Sequence, residues 1–193
     1  PFFVRSIDVL ADRHGFARIS PNEAESMRGQ SARQILSRVG LPLWKIPRLA
    51  RDFTSLMGEH LDEIRVFPGM AETLQLLHAA GVVLAVVTSN AERNVRRVLG
   101  AQAALVQTLE CGVSLFGKRA RLKKVLRTTR VAASSALYVG DEIRDAEAAR
   151  GANMAFGAVA WGYATAAALR AQNPHEFFET PTAIAGLVRS NAR

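Results

Sequence analysis

Three carboxylates fall within five positions of the chain, directly after a short apolar run. Residues 136–139 are apolar without a period, which predicts a strand buried on both faces, and Gly140 permits a sharp turn after it. Asp141, Glu142 and Asp145 follow among good helix formers, so Asp145 is expected one helical turn beyond Asp141. Crowded carboxylates repel one another unless a cation lies between them, and oxygen ligands suit Mg²⁺. The alternative is that these acids only cap the helix and complement its dipole.

Two further polar groups lie where predicted elements meet. Thr88, Ser89 and Asn90 end a β-branched run and precede a helix, so their side chains and the free N–H groups of the helix start predict an anion site. An ordinary helix cap is the alternative there. Lys118 follows Gly117 at another helix start, where a cation opposes the helix dipole. A residue that disfavours its own helix without a local benefit often has a functional role. The simpler interpretation is that Lys118 is an ordinary lysine on the protein surface.

The elements that must position these groups form two segments of different character. Residues 1–64 predict about four helices and no strand, and we expect them to form a helical domain. Residues 65–193 alternate between strands and helices, which predicts βαβ units in a parallel sheet. The predicted helices of this second segment are 70–80, 91–99, 118–129 and the one that follows residues 136–139. The predicted strands are 82–87, which we expect to be buried, 104–109, 136–139 and 154–161.

Composition and charge narrow the class of protein. With 193 residues, 49% of them hydrophobic, the chain can bury a sizeable core, and no apolar run is long enough to cross a bilayer. A single cysteine excludes an internal disulfide framework and favours a cytoplasmic location. The net charge of +8 raises the question of nucleic acid. Because the basic residues recur at helical spacings without a binding motif, we expect neither nucleic acid nor membrane as a partner, and monomer and homodimer stay open.

The order of the three groups resembles that of a known superfamily. A hydroxyl at a strand end, then a lysine at a helix start, then Gly-Asp-x-x-x-Asp is similar to the motif order of the haloacid dehalogenase-like hydrolases, most of which are Mg²⁺-dependent phosphatases. Residues 82–90 resemble the second motif, Lys118 the third and residues 140–145 the fourth. Three motifs in the right order make this resemblance specific.

Three other stretches resemble the phosphoglycolate phosphatase-type branch of that superfamily: Phe-Pro-Gly at 67–69, Phe-Gly-Lys at 116–118 and Ala-Trp-Gly-Tyr at 160–163. In that branch a helical cap follows the first strand, which matches residues 1–64. The resemblance implies a Rossmann-like parallel-sheet core with a helical cap domain. It also implies a small phosphomonoester, similar to phosphoglycolate, as the substrate.

The resemblance assigns roles to particular residues. It implies that Lys118 and Thr88 are catalytic residues that bind the phosphoryl group, with Ser89 and Asn90 nearby. It implies that Asp141 is a ligand of Mg²⁺, with Asp145 or Glu142 as a further ligand. Arg28, at a break between cap helices, is our candidate for binding an anionic part of the substrate.

One departure from the superfamily pattern has large consequences. The nucleophile of the family is an aspartate in an Asp-x-Asp motif after the first strand, and no such motif occurs here. Asp8 cannot replace it, because no apolar strand precedes that residue. Residues 1–3 resemble the segment that directly follows the motif, so we expect the chain to start beyond the nucleophile and to lack the first strand. We therefore predict that these 193 residues alone are inactive.

Two competing functions remain on the same fold. A haloacid dehalogenase needs no metal, so the acid-rich turn at Asp141 argues against it. A non-catalytic interaction or nucleic-acid-binding protein would have lost the nucleophile while keeping the fold.

Overall fold

Four helices form the first third of the structure, a computed structural model that describes residues 2–114 and 117–189. They are α1 (Phe2–His14), α2 (Pro21–Met27), α3 (Ala32–Arg38) and α4 (Ile46–Glu59). This agrees with the helical segment predicted from the sequence. Nowhere in the described ranges is a helix both long enough and apolar enough to cross a membrane.

Serine residues start two of these helices. The Ser20 hydroxyl accepts a hydrogen bond from the Glu23 N–H, and the Glu23 carboxylate accepts one from the Ser20 N–H. Ser31 and Gln34 repeat this reciprocal arrangement at the start of α3. Each pair satisfies two N–H groups that a helix start otherwise leaves without partners. The two serines therefore fix where α2 and α3 begin.

The remainder of the described chain alternates between helices and parallel strands. In order these elements are α5 (Met70–Ala79), β1 (Leu84–Val87), α6 (Glu92–Leu99), β2 (Val106–Glu110), α7 (Lys118–Thr129), β3 (Leu137–Gly140), α8 (Ile143–Gly151), β4 (Ala155–Val159), α9 (Ala166–Arg170), β5 (Glu176–Phe178) and α10 (Gly186–Arg189). The α/β class is confirmed. β5 was not predicted, because its three residues, Glu-Phe-Phe, are too few to form an apolar run that predicts a strand.

The strands form two sheets. β1 pairs with β2, and β3, β4 and β5 pair in that order, all in parallel. The prediction that residues 82–87 and 136–139 are fully buried strands is wrong, because β1 and β3 are half-buried and Val82 and Val83 are exposed. The physical reason is that, among the described residues, β1 and β3 each have a hydrogen-bonded neighbour along one edge only.

The two sheets nevertheless share their hydrophobic clusters. Leu84 of β1 packs against the same cluster as Leu137 and Val139 of β3. On the opposite face, Val87 and Tyr138 pack against a second cluster, formed mainly by α7, α8 and β4. β1 and β3 therefore belong to one layer, with the same two clusters on its two faces.

We predict that the second cluster supplies much of the stability. Leu122 is buried in it on α7, with 2% of its surface exposed. Leu122→Ala should lower the free energy of unfolding by about 2–5 kcal/mol, since it removes packed methyl groups and leaves a cavity. The matched control is Leu76→Ala on α5, where 46% of the residue's surface is exposed. Equal losses in urea unfolding for the two variants would contradict this location of the core.

Candidate active site

A buried carboxylate organises the predicted site. Asp145 Oδ1 accepts hydrogen bonds from Lys118 Nζ and from the Tyr138 hydroxyl, the latter at 3.2 Å. Its Oδ2 accepts from the N–H groups of Asp141 and Glu142 at 3.2 and 3.1 Å. Burial and the charge of Asp145 raise the pKa of Tyr138, which keeps its hydroxyl a donor. The structure therefore brings the Lys118 ammonium and the main-chain N–H groups of Asp141 and Glu142 to the carboxylate of Asp145.

Close packing at Gly140 lets Asp145 reach these partners. A Cβ atom at Gly140 would lie 2.6 Å from Asp145 Oδ2, which is too close for any side chain. The glycine predicted to permit a turn therefore also makes room for the carboxylate. Asp145 itself is in the first turn of α8, where a negative charge favours the helix dipole.

Lys118 owes its position to the anchoring of α7. Glu110, at the end of β2, is buried and forms ion pairs with Arg121 at 2.9 Å and Lys124 at 2.7 Å. These two residues lie three apart on α7, so they face the same way. Lys118 is the first residue of that helix, and its side chain is 12% exposed beside Asp145.

Asp141 is held by the loop that follows β4. Its Oδ2 accepts a hydrogen bond from the Tyr163 N–H at 2.7 Å. Burial raises the pKa of Asp141, and the charges of Glu142 and Asp145 raise it further, while the Tyr163 bond and Lys118 act in the opposite direction. A cation beside this carboxylate would favour its ionised form.

The donor set suits a magnesium ion in part. Asp141 can supply an oxygen ligand. The other two carboxylates already have cationic partners: Asp145 accepts a hydrogen bond from Lys118, and Glu142 Oε1 accepts one from Arg144 Nη2 at 2.7 Å. Across residues 2–114 and 117–189, no group of three or more His, Cys, Asp or Glu side chains is arranged to hold a metal. Asp145 or Glu142 as a direct ligand therefore stays a prediction.

The predicted hydroxyl site lies at the carboxyl end of β1. The Thr88 N–H donates to the Glu110 carbonyl at 2.9 Å, and the Val113 N–H donates to the Thr88 carbonyl at 3.0 Å. These bonds join the end of β1 to the loop that leads from β2 to Lys118. The Thr88 Oγ1 accepts from the Asn90 N–H at 3.1 Å, and Ser89 beside it is exposed.

Asn90 has structural partners that the sequence analysis missed. Its Oδ1 accepts from the Ala91 N–H and from Asn94 Nδ2, both at 2.9 Å. Asn94 is fully buried and also donates to the Thr54 carbonyl on α4 at 3.3 Å. The four-residue spacing of Asn90 and Asn94 at a helix start could have indicated that their side chains meet. These amides connect the end of β1 to the N-terminal helices.

Arg28 lies against the loop that holds Asp141. Its Nε donates to the Tyr163 carbonyl at 2.6 Å, and its Nη1 donates to Glu25 Oε1 at 2.9 Å. Binding of an anionic part of the substrate by this side chain stays a prediction. Phe116, part of the Phe-Gly-Lys stretch, lies outside the described residues.

The ion pairs of Glu110 with α7 predict a contribution to stability that is lost in acid. Hydrogen bonds from Lys124, and next from Arg121, hold the pKa of Glu110 below its ordinary value. A lowered pKa adds stability above the unfolded-state pKa of about 4.3, and that stability is lost as the pH falls through the lower folded-state value.

In urea unfolding between pH 7 and pH 3, Glu110→Gln should therefore be less stable than the wild type at neutral pH, and the gap should narrow in acid. Glu147→Gln, on the exposed side of α8, is the control. A constant gap for Glu110→Gln across this range would contradict the role of the ion pairs.

Gly162 predicts a steric limit behind Asp141. A Cβ atom there would lie 2.5 Å from Asp141 Oδ2, so Gly162→Ala must displace either the loop or the carboxylate. We expect a loss of about 1–3 kcal/mol in the free energy of unfolding, as for other overpacked sites. Gly186→Ala, where a Cβ would meet nothing within 4 Å, is the control. Thermal unfolding that does not distinguish the two variants would argue against this packing.

Phosphoglycolate phosphatases are among the proteins similar to this chain in sequence. A phosphoglycolate phosphatase from Synechococcus elongatus is 30% identical over 184 residues, which are 94% of this chain and 87% of that protein. One from Pseudomonas savastanoi is 33% identical over 114 residues, 56% of this chain and 42% of that protein.

Solved structures share the fold at lower identity. A predicted phosphoglycolate phosphatase from Haemophilus somnus has a TM-score of 0.73 at 24% identity, covering 97% of this chain and 90% of its own. A predicted phosphatase from Clostridium acetobutylicum has a TM-score of 0.79 at 13% identity, covering 98% and 91%. The family model described as haloacid dehalogenase-like hydrolase matches residues 1–159. The chain therefore belongs to the haloacid dehalogenase-like hydrolase family, as its motif order indicated.

Proposed function

We propose that the protein is a Mg²⁺-dependent phosphatase acting on a small phosphomonoester of the phosphoglycolate type. The observation that carries the proposal is the buried ion pair of Lys118 with Asp145, beside Asp141 at the carboxyl end of β3. Ligand sites in parallel α/β sheets form at this edge. The names of the relatives, phosphoglycolate phosphatases, support the substrate class.

Lys118 and Thr88 would hold the phosphoryl group. The Lys118 ammonium has three N–H donors and gives one to Asp145, which leaves donors for phosphoryl oxygens. The Thr88 Oγ1 accepts from the Asn90 N–H, so its own proton can be donated to the substrate. Ser89 lies beside it, exposed. Donors fixed in this way stabilise the charge that spreads over the phosphoryl oxygens in the transition state.

Asp141 would be the carboxylate that contributes most directly to a magnesium site. When bound, Mg²⁺ neutralises charge on the phosphoryl oxygens and favours the ionised form of the carboxylates. The Tyr163 N–H fixes the orientation of the partly buried Asp141 carboxylate. We propose Asp145 chiefly as the residue that orients Lys118 and the turn.

The nucleophile would come from an Asp-x-Asp motif outside these 193 residues. Its first aspartate would attack phosphorus in line and form an aspartyl-phosphate as the bond to the leaving oxygen breaks. Its second would protonate that leaving oxygen and later take a proton from the water that hydrolyses the intermediate. The N-terminal helices would act as the cap domain, which excludes water and selects the leaving group.

The test compares two chains with p-nitrophenyl phosphate and 2-phosphoglycolate in the presence of Mg²⁺. The first is the 193-residue chain, for which we expect no turnover. The second is the chain extended by what its gene encodes upstream of Pro1, for which we expect an Asp-x-Asp motif and Mg²⁺-dependent hydrolysis. Turnover by the shorter chain would contradict the origin of the nucleophile. Halide release from a 2-haloacid, unaffected by EDTA, would instead favour a dehalogenase.

Substitution in the active extended chain tests the individual roles. Lys118→Met should lower kcat/KM by about 100-fold or more, because it removes a fixed donor to the developing charge. Lys123→Met, the same change five residues further along α7, is the control.

Asp141→Asn should raise the Mg²⁺ concentration needed for half-maximal activity. An unchanged metal requirement would remove Asp141 from the metal site.

A further inference from the structure

Arg28 and Asp141 bind opposite ends of the same two peptide groups. In the first group, Arg28 Nη2 donates to the Gly162 carbonyl at 3.3 Å and the Tyr163 N–H donates to Asp141 Oδ2 at 2.7 Å. In the second, Arg28 Nε donates to the Tyr163 carbonyl at 2.6 Å and the Ala164 N–H donates to the Asp141 carbonyl at 2.9 Å. Two hydrogen-bonded chains therefore run in parallel from the guanidinium to Asp141.

The charge of Arg28 strengthens both chains. A carbonyl that accepts a hydrogen bond from a cation polarises its peptide group, and the N–H of that group becomes a better donor. The planar guanidinium presents Nε and Nη2 in a fixed geometry that matches two successive carbonyls. A lysine ammonium lacks this geometry, although it keeps the charge.

The Arg28 side chain is itself held in place. Its Nη1 donates to both carboxylate oxygens of Glu25, at 2.9 and 3.1 Å. Its main-chain carbonyl accepts from the Thr165 N–H at 3.3 Å. The corner between α2 and α3 is therefore docked on the loop after β4 by side-chain and main-chain contacts together.

We infer that Arg28 is a positioning residue that couples the docking of the N-terminal helices to the orientation of the Asp141 carboxylate. When the α2–α3 corner is docked, the Tyr163 and Ala164 N–H groups are polarised and held toward Asp141. When the corner moves away, these two N–H groups lose that support. The importance of this coupling for catalysis rests on the proposed function, whereas the contacts do not.

Amide hydrogen exchange measured by NMR on the 193-residue chain tests the coupling without requiring activity. In Arg28→Ala, the Tyr163 and Ala164 amides should exchange at least about tenfold faster, in line with the loss of charge-assisted hydrogen bonds. Arg28→Lys should restore part of this protection through its charge. Arg38→Ala, at an exposed position in the last turn of α3, is the control and should leave both amides unchanged.

Two results would overturn the inference: unchanged exchange at Tyr163 and Ala164 in Arg28→Ala, or equal acceleration of every amide in the chain. If Arg28→Ala does not fold, Arg28→Lys decides in the same way, with faster exchange confined to these two amides supporting the coupling and wild-type exchange refuting it. Because exchange does not depend on turnover, a failed phosphatase assay leaves this test intact. Failure of this test likewise leaves the phosphatase proposal standing.

Discussion

The carboxylate of Asp145 is the interaction on which the rest of the site depends. It is 1% exposed, and a buried charge is tolerated only when it is paired and hydrogen-bonded. Its four donors come from three elements: Lys118 at the start of α7, Tyr138 in β3, and the turn at Asp141 and Glu142. One side chain thus orients the lysine and shapes the turn that presents Asp141.

The same interaction connects the two sheets. Glu110 ties β2 to α7 through Arg121 and Lys124, and Lys118 on that helix pairs with Asp145 at the start of α8. Because β1 and β3 share no hydrogen bonds among the described residues, this polar path and the two shared hydrophobic clusters hold the halves together. Positive side chains on α7 and carboxylates at the end of β2 and the start of α8 therefore contribute directly to the fold.

Much of this arrangement could be predicted from local sequence. The alternation of strands and helices is a short-range signal, and it placed most elements within a few residues. The motif order predicted that Lys118 would meet the acids near Asp141. Strand burial was predicted incorrectly, because an apolar run shows that a strand can be buried but not whether a neighbour covers each edge.

The remaining features depend on contacts distant in sequence. Arg28 binds a loop 134 residues further on, and neither its own neighbours nor the Trp-Gly-Tyr stretch indicates that pairing. Its place in an apolar run predicts Tyr138 as an ordinary strand residue, although its hydroxyl donates a hydrogen bond to Asp145. Such partners are set by how the helical segment docks on the α/β part, and no local pattern encodes that geometry.

We propose above all that Thr88, Lys118 and Asp141 surround one phosphate-sized site. A crystal structure of the chain grown with Mg²⁺ and tungstate, a heavy mimic of phosphate, tests it most directly through the anomalous signal of tungsten. We expect a tungstate whose oxygens lie about 3 Å from both Thr88 Oγ1 and Lys118 Nζ, a normal hydrogen-bond distance. A tungstate bound elsewhere, with that position empty, would contradict the claim.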